Sequence, residues 1–206
     1  MSSAWDNLIN DKTCTQLPHY AINKSLPADS YFTSQKTAKK CFQLLCDTVD
    51  TTEYTFIEPS AGGGSFYDLL PTDRRIGIEL HSRRKEFIQE NYLTWYPSDA
   101  TQKYIVVGNP PFGVRGSYAL AFVNRSFLFS EYVAFILPMS FASNGKATNM
   151  KRVQNAHLIF SQVLAHEEFY SPDNKKQISV NVLFQIWKRG PGPIFFPSYD
   201  VSSYAD

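Results

Sequence analysis

The chain has 206 residues, enough for one substantial core and too few for a second full domain. Twenty Lys and Arg against nineteen Asp and Glu leave a formal charge of +1, so no global basic field marks it for nucleic acid, although a local patch remains open. Three cysteines (Cys14, Cys41, Cys46) make no CxxC pair, no run reaches about 18 apolar residues, and the start lacks a basic segment followed by an apolar one. The expectation is a soluble protein of a reducing, cytoplasmic compartment, with no membrane association and no metal.

In chain order, residues 1–27 show no sustained period and read as an irregular arm before a domain over 28–190. Thr33 or Ser34 can cap a helix over 34–47, whose Ala38, Cys41, Phe42 and Leu45 fall at helical spacing. A short β-type run, Tyr54–Ile57, leads into a glycine-rich turn and a short helix. "RRIGIEL" (74–80) is a second strand, and "SRRKEFIQENY" (82–92) has the pattern of a charged amphipathic helix. "KYIVVG" (103–108) is a third strand, helical "SYALAFVNRSFLF" follows, and "EYVAFILP" (131–138) is a fourth. Strands alternating with helices predict an α/β fold, a mainly parallel sheet with helices on both faces. Residues 157–170 and 178–188 are both β-rich with only a polar turn between them, which predicts an antiparallel edge. The tail, 191–206, carries Gly and Pro too densely for regular structure.

"FIEPSAGGGSF" places Glu58 at a strand end and Gly62, Gly63 and Gly64 just after it. In an open parallel sheet ligands bind at the carboxyl ends of strands, where glycine lets backbone approach them, so nucleotide binding is the first reading. Neither the P-loop ending nor the GxGxxG fingerprint is present. The next strand-end acid, Glu79, lies seventeen residues past Gly62, close to the spacing of about 20 for a carboxylate that takes ribose hydroxyls. The pair fits a nucleoside cofactor without a pyrophosphate.

"GNPPFG" follows the third strand, so Asn109 faces the same cleft. Pro110 and Pro111 each fix φ and lack an N–H, and each restrains the residue before it. The stiff turn aims two acceptors outward, the Asn109 side-chain oxygen and a carbonyl of the diproline, with the Phe112 ring beside them. Two acceptors and one ring face suit a planar conjugated amine. Accepting both its hydrogens draws the nitrogen toward tetrahedral geometry and supports the positive charge that grows as it attacks an electrophile such as a sulfonium methyl.

With these motifs in this order, residues 28–188 resemble the S-adenosylmethionine-dependent N6-adenine amino-methyltransferases of NPPY/NPPF type, with the cofactor motifs first. The resemblance implies a Rossmann-like class I methyltransferase fold: a seven-stranded, mainly parallel sheet with an antiparallel last strand. It implies Thr33 near the cofactor's methionine carboxylate, and Glu58, Pro59, Ser60, Ala61 and Gly62 along its methionine moiety. Glu79 corresponds to the ribose carboxylate. Asn91, in "NYL", stands where the family has Asp contacting the cofactor's adenine. Asn109, Pro110, Pro111 and Phe112 match the catalytic motif, and Phe141, in "ILPMSF", would stack on the other side of the target base. The substrate implied is adenine in DNA first, in RNA second; a silent subunit that binds nucleic acid or a partner is a third reading. Those DNA enzymes commonly carry a separate target-recognition domain, so the expectation is low specificity, or substrate reading by loops such as 142–152 (Asn144, Lys146, Lys151, Arg152) and 171–177 (Lys175, Lys176), or a partner subunit that supplies it.

Overall fold

The computed structural model describes residues 31–192 apart from 83, 144, 146, 147 and 171–176. The expected arm, 1–27, lies outside the described residues, as do Lys146, Lys175 and Lys176 and all but two residues of the tail. Among the described residues seven strands form one sheet: β1 (Phe32–Thr33), β2 (Tyr54–Glu58), β3 (Arg75–Gly77), β4 (Lys103–Gly108), β5 (Tyr132–Pro138), β6 (Ala156–Tyr170) and β7 (Gln177–Arg189). Among the described residues three α-helices accompany them: α1 (Gln35–Thr48), α2 (Ser117–Ser126) and the single turn α3 (Asn149–Arg152).

The spatial order is β1-β6-β7-β5-β4-β2-β3. β2 pairs in parallel with β3 and β4, and β4 with β5; β7 is antiparallel to β5 and β6, and β1 to β6. The described sheet is mainly parallel in direction with the last strand reversed, as expected, and the short β1 is reversed as well. The last strand, β7, sits inside the sheet, between β5 and β6, rather than at its edge.

Burial on both faces explains the near-continuous apolar runs of the central strands. Side chains alternate along a strand, so Tyr104 and Val106 of β4, with Val133, Phe135 and Leu137 of β5, pack with Ala119, Leu120, Phe122 and Val123 of α2. Ile105, Val107, Ala134 and Ile136 face the other way and pack with Ala38, Cys41 and Leu45 of α1. Ser34 caps α1, its Oγ accepting from Thr37 N at 3.1 Å.

Two expected elements are absent. The segment after the glycine turn forms only a 3-10 turn, Tyr67–Leu69. Residues 82–92 form no helix. Ile78 and Ile88 instead make a parallel bridge, with Ile88 N donating to the Gly77 carbonyl at 2.8 Å and Glu79 N to the Ile88 carbonyl at 3.0 Å. The reason lies in two adjacent apolar residues with different destinations. Phe87 packs with Tyr67 and Ala61, while Ile88 packs against the core on the α2 side. Extended backbone sends neighbours to opposite sides, whereas a helix separates them by only about 100°. Among the described residues no helix is long and apolar enough to cross a membrane, and no cluster of His, Cys, Asp or Glu could hold a metal ion.

Candidate active site

The carboxyl ends of β2, β3, β4 and β5 open into one cleft of about 950 Å³, of the size that holds a nucleoside-sized ligand. Pro59, Ser60, Gly62 and Gly63 line it after β2, Glu79 and His81 after β3, Asn109 to Phe112 after β4, and Pro138 to Ser140 after β5. Asn91 contributes from the following turn and Tyr31 and Phe32 from the N-terminal side. The cleft gathers nine of the expected site residues: Pro59, Ser60, Gly62, Glu79, Asn91, Asn109, Pro110, Pro111 and Phe112.

The glycine turn is tied to the acid that follows β3. Glu79 Oε2 accepts from Gly62 N at 2.8 Å, and Oε1 accepts from His81 N at 3.2 Å. A carboxylate has about four acceptor positions, so Glu79 keeps two for hydroxyls of a ligand. Gly62 holds φ +50°, and a Cβ there would lie 3.0 Å from the Phe32 ring. That ring therefore roofs the turn at van der Waals range, and only glycine meets both conditions. Arg84, also on the cleft, is locked in place by Asp68 at 2.7 Å and by the Gly63 carbonyl at 3.1 Å.

Asn109 presents the most distinctive atom. Its backbone carbonyl accepts from Ser60 Oγ at 3.1 Å, which fixes the strand end, while its side-chain Oδ1 is buried and has no partner among the described residues. Buried acceptors are rarely left so, because an unmade bond costs about 1–3 kcal/mol. Next to it Pro110 is buried and Phe112 is half-buried, packed against both cores with part of its ring on the cleft. The Phe112 carbonyl is already used, accepting from Tyr118 N and Ala119 N at the start of α2.

Four expected site residues do not line the cleft. Phe141 is fully buried in the core on the α2 side, because the 3-10 turn Met139–Phe141 rotates it inward; Met139 and Ser140 face the cleft instead. Thr33 is buried in β1, its carbonyl accepting from Ser65 Oγ at 2.6 Å, and its neighbour Phe32 takes the wall position. Ala61 is buried against Tyr67 and Phe87. Glu58 is 3% exposed, with Oε2 accepting from Tyr67 N at 2.7 Å. Burial pushes its carboxyl well above the usual range, opposed by the N–H groups of Tyr67 and Phe66. It braces the start of the 3-10 turn that follows the glycine loop. Asn91 does reach the cleft, but its Oδ1 accepts from Leu93 N at 3.0 Å in a local turn.

Phe32, Arg84, Tyr118 and Asn181 line the cleft without having been expected. Phe32 had one signal, its place beside Thr33 in "YFTSQ"; Asn181 reaches the site only because β7 lies beside β5, which no local pattern encodes.

Neither family models nor curated proteins match this sequence. Solved structures do match the fold. A candidate RNA methyltransferase from Pyrococcus horikoshii aligns with a TM-score of 0.60 at 17% identity, over 85% of this chain and 91% of that one. A candidate class I S-adenosylmethionine-dependent methyltransferase from Listeria monocytogenes aligns with a TM-score of 0.57 at 10% identity, over 85% and 66%. The modification subunit of a candidate type I restriction enzyme from Vibrio vulnificus aligns with a TM-score of 0.52 at 14% identity, over 80% of this chain and 46% of that subunit. The fold is the Rossmann-like class I methyltransferase fold.

Proposed function

We propose that the chain transfers a methyl group from S-adenosylmethionine to the exocyclic N6 amine of an adenine in nucleic acid, DNA first and RNA second. The observation that carries this reading is the buried, unpartnered Asn109 Oδ1 at the carboxyl end of a central strand, beside a diproline and an aromatic ring on a nucleoside-sized cleft. An acceptor with no internal donor suits a ligand N–H, and an adenine amine carries two.

The cleft's chemistry fits the cofactor. Glu79 has acceptor positions left for ribose hydroxyls, and Gly62, Gly63, Phe32 and Asn91 line the same cleft, where Asn91 is assigned to the cofactor's adenine. When bound, S-adenosylmethionine supplies an electrophilic methyl group on a sulfonium. The residues of the chain bind and align. Asn109 Oδ1 accepts a hydrogen bond from one amine N–H, and the Pro110 carbonyl, which no bond occupies among the described residues, accepts from the other; one of these protons leaves to solvent as the nitrogen gains the methyl group. Both acceptors withdraw the nitrogen lone pair from the ring and stabilise the charge that grows on it, while Phe112 holds the base by its face. A paired base must first leave its stack, at a cost of a few kcal/mol that a single strand reduces. The Vibrio relative is by description one subunit of a larger enzyme, and a partner that supplies target recognition belongs to the same reading.

The test is expression in a host without adenine methylation, followed by digestion of its DNA and RNA and mass analysis of the nucleosides. N6-methyladenosine or its deoxy form is expected. Retained cofactor binding with no transfer to duplex DNA, single-stranded DNA, RNA or protein would instead mark a silent subunit.

A further inference from the structure

We infer that the turn following the catalytic motif, Val114–Arg115, together with Lys151 and Arg152 on α3, forms a docking surface for the nucleic-acid strand on either side of the target base. The inference rests on the reading just given and adds the element that holds the strand.

Three observations converge. First, Val114 is 79% exposed, the one large apolar side chain so exposed among the described residues, and it lies two positions after Phe112. Second, Arg115 holds φ 53° and ψ 28°, a left-handed conformation that a non-glycine residue keeps only when its surroundings impose it. Here they do. The buried Asn149 donates from Nδ2 to the Arg115 carbonyl at 2.8 Å, and Ser140 Oγ donates to it at 3.4 Å. At the other end Gly113 holds φ +65°, with no room for a Cβ beside the Tyr118 ring. The turn is a rigid knuckle at the mouth of the cleft, which Arg115 lines.

Third, the cations of this face are unspent. Arg74, Arg75, Arg84, Arg125 and Arg189 each donate to a carbonyl, carboxylate or hydroxyl of the fold. Among the described residues the exposed side chains of Arg115, Lys151 and Arg152 have no ion-pair or hydrogen-bond partner. Asn149, which pins the knuckle, lies on the same short helix as Lys151 and Arg152, so one bond ties together the backbone that carries all three cations. Unpaired cations on that tied backbone, with an exposed apolar side chain on the same turn as Arg115, match a strand whose phosphates are anionic and whose next base offers an apolar face.

The experiment is fluorescence anisotropy of a labelled single-stranded oligonucleotide with one central adenine, titrated over a salt series with the full chain and with R115Q, V114D and the pair K151Q and R152Q. Each cation removed should lower the slope of log affinity against log salt by about 0.7–1 and weaken binding about threefold or more. R115K should restore the slope, and V114D should weaken binding through its added negative charge. Methyl transfer should fall further on the oligonucleotide than on free adenosine. Parental slope and affinity in all these variants, or no binding by the parent chain, would overturn the inference. Salt-dependent binding lost in the variants, with no methyl transfer by the parent chain, would keep the strand surface and overturn the proposed reaction.

Discussion

Replacing Asn109 with alanine separates a catalytic oxygen from a structural one. In most buried sites such a truncation removes a made hydrogen bond and lowers stability by about 1–3 kcal/mol. Here Oδ1 has no partner within the described residues, and the bond that fixes the strand end, from Ser60 Oγ, goes to the backbone carbonyl, which alanine keeps. The fold therefore has no Oδ1 bond to lose, and N109A should melt within about 2–4 °C of the parent, the shift that ~1 kcal/mol gives at this size. Turnover should behave oppositely. Removing one acceptor aimed at growing charge costs about 10²–10³-fold, or about 2.7–4 kcal/mol. The measurements are thermal unfolding and single-turnover methyl transfer, with cofactor affinity by calorimetry. A melting point lowered in proportion to lost turnover would refute the reasoning, as would transfer within about threefold of the parent or a large loss of cofactor affinity.

Glu79→Ala should raise the apparent constant for the cofactor about 10–100-fold, the worth of one or two charge-assisted bonds, with a smaller effect on maximal turnover; saturation kinetics test this. Because the Glu58 carboxyl is raised by burial, its protonation stabilises the fold fully below the unfolded value of about 4.3, and this contribution is lost as pH rises through the folded value. Urea unfolding at a series of pH values should show the stability of the parent relative to E58Q falling as pH rises over that window; a pH-independent difference contradicts the account. Gly62→Ala forces a Cβ against Phe32 at positive φ, so it should lower the melting temperature and weaken cofactor binding together. Thiol labelling of the native protein with peptide mapping should modify Cys46, which is exposed, and spare Cys41, which is buried with its thiol pushed up by burial first and Glu167 second.

What the sequence discloses about this fold is set by range. β4, β5 and the hairpin of β6 and β7 are legible because apolar runs flanked by turn residues encode strands locally. Asn109 is legible because proline restricts its own backbone and its predecessor's, a purely local effect. The helix expected over 82–92 fails because charge pairing and helical spacing say nothing about Phe87 and Ile88 having separate cores to enter. Thr33 and Phe141 fail by a rotation of one or two residues. A motif marks the right segment, but which of its side chains faces the cleft depends on a 3-10 turn and on a two-residue strand paired across the sheet. The left-handed Arg115 is illegible for a like reason, since its conformation is imposed by Asn149 from 34 positions away.

The pairing of β1 with the end of β6, Phe32 opposite Tyr170, has a consequence for the order of assembly. The aromatic roof over the glycine turn comes from the first described strand, yet among the described residues that strand pairs only with β6, more than 130 positions later. Loop closure over such a separation is slow, and contacts of this kind form late. The floor of the cleft therefore assembles before its ceiling, and full enclosure of a ligand there waits on the pairing of β1 with β6.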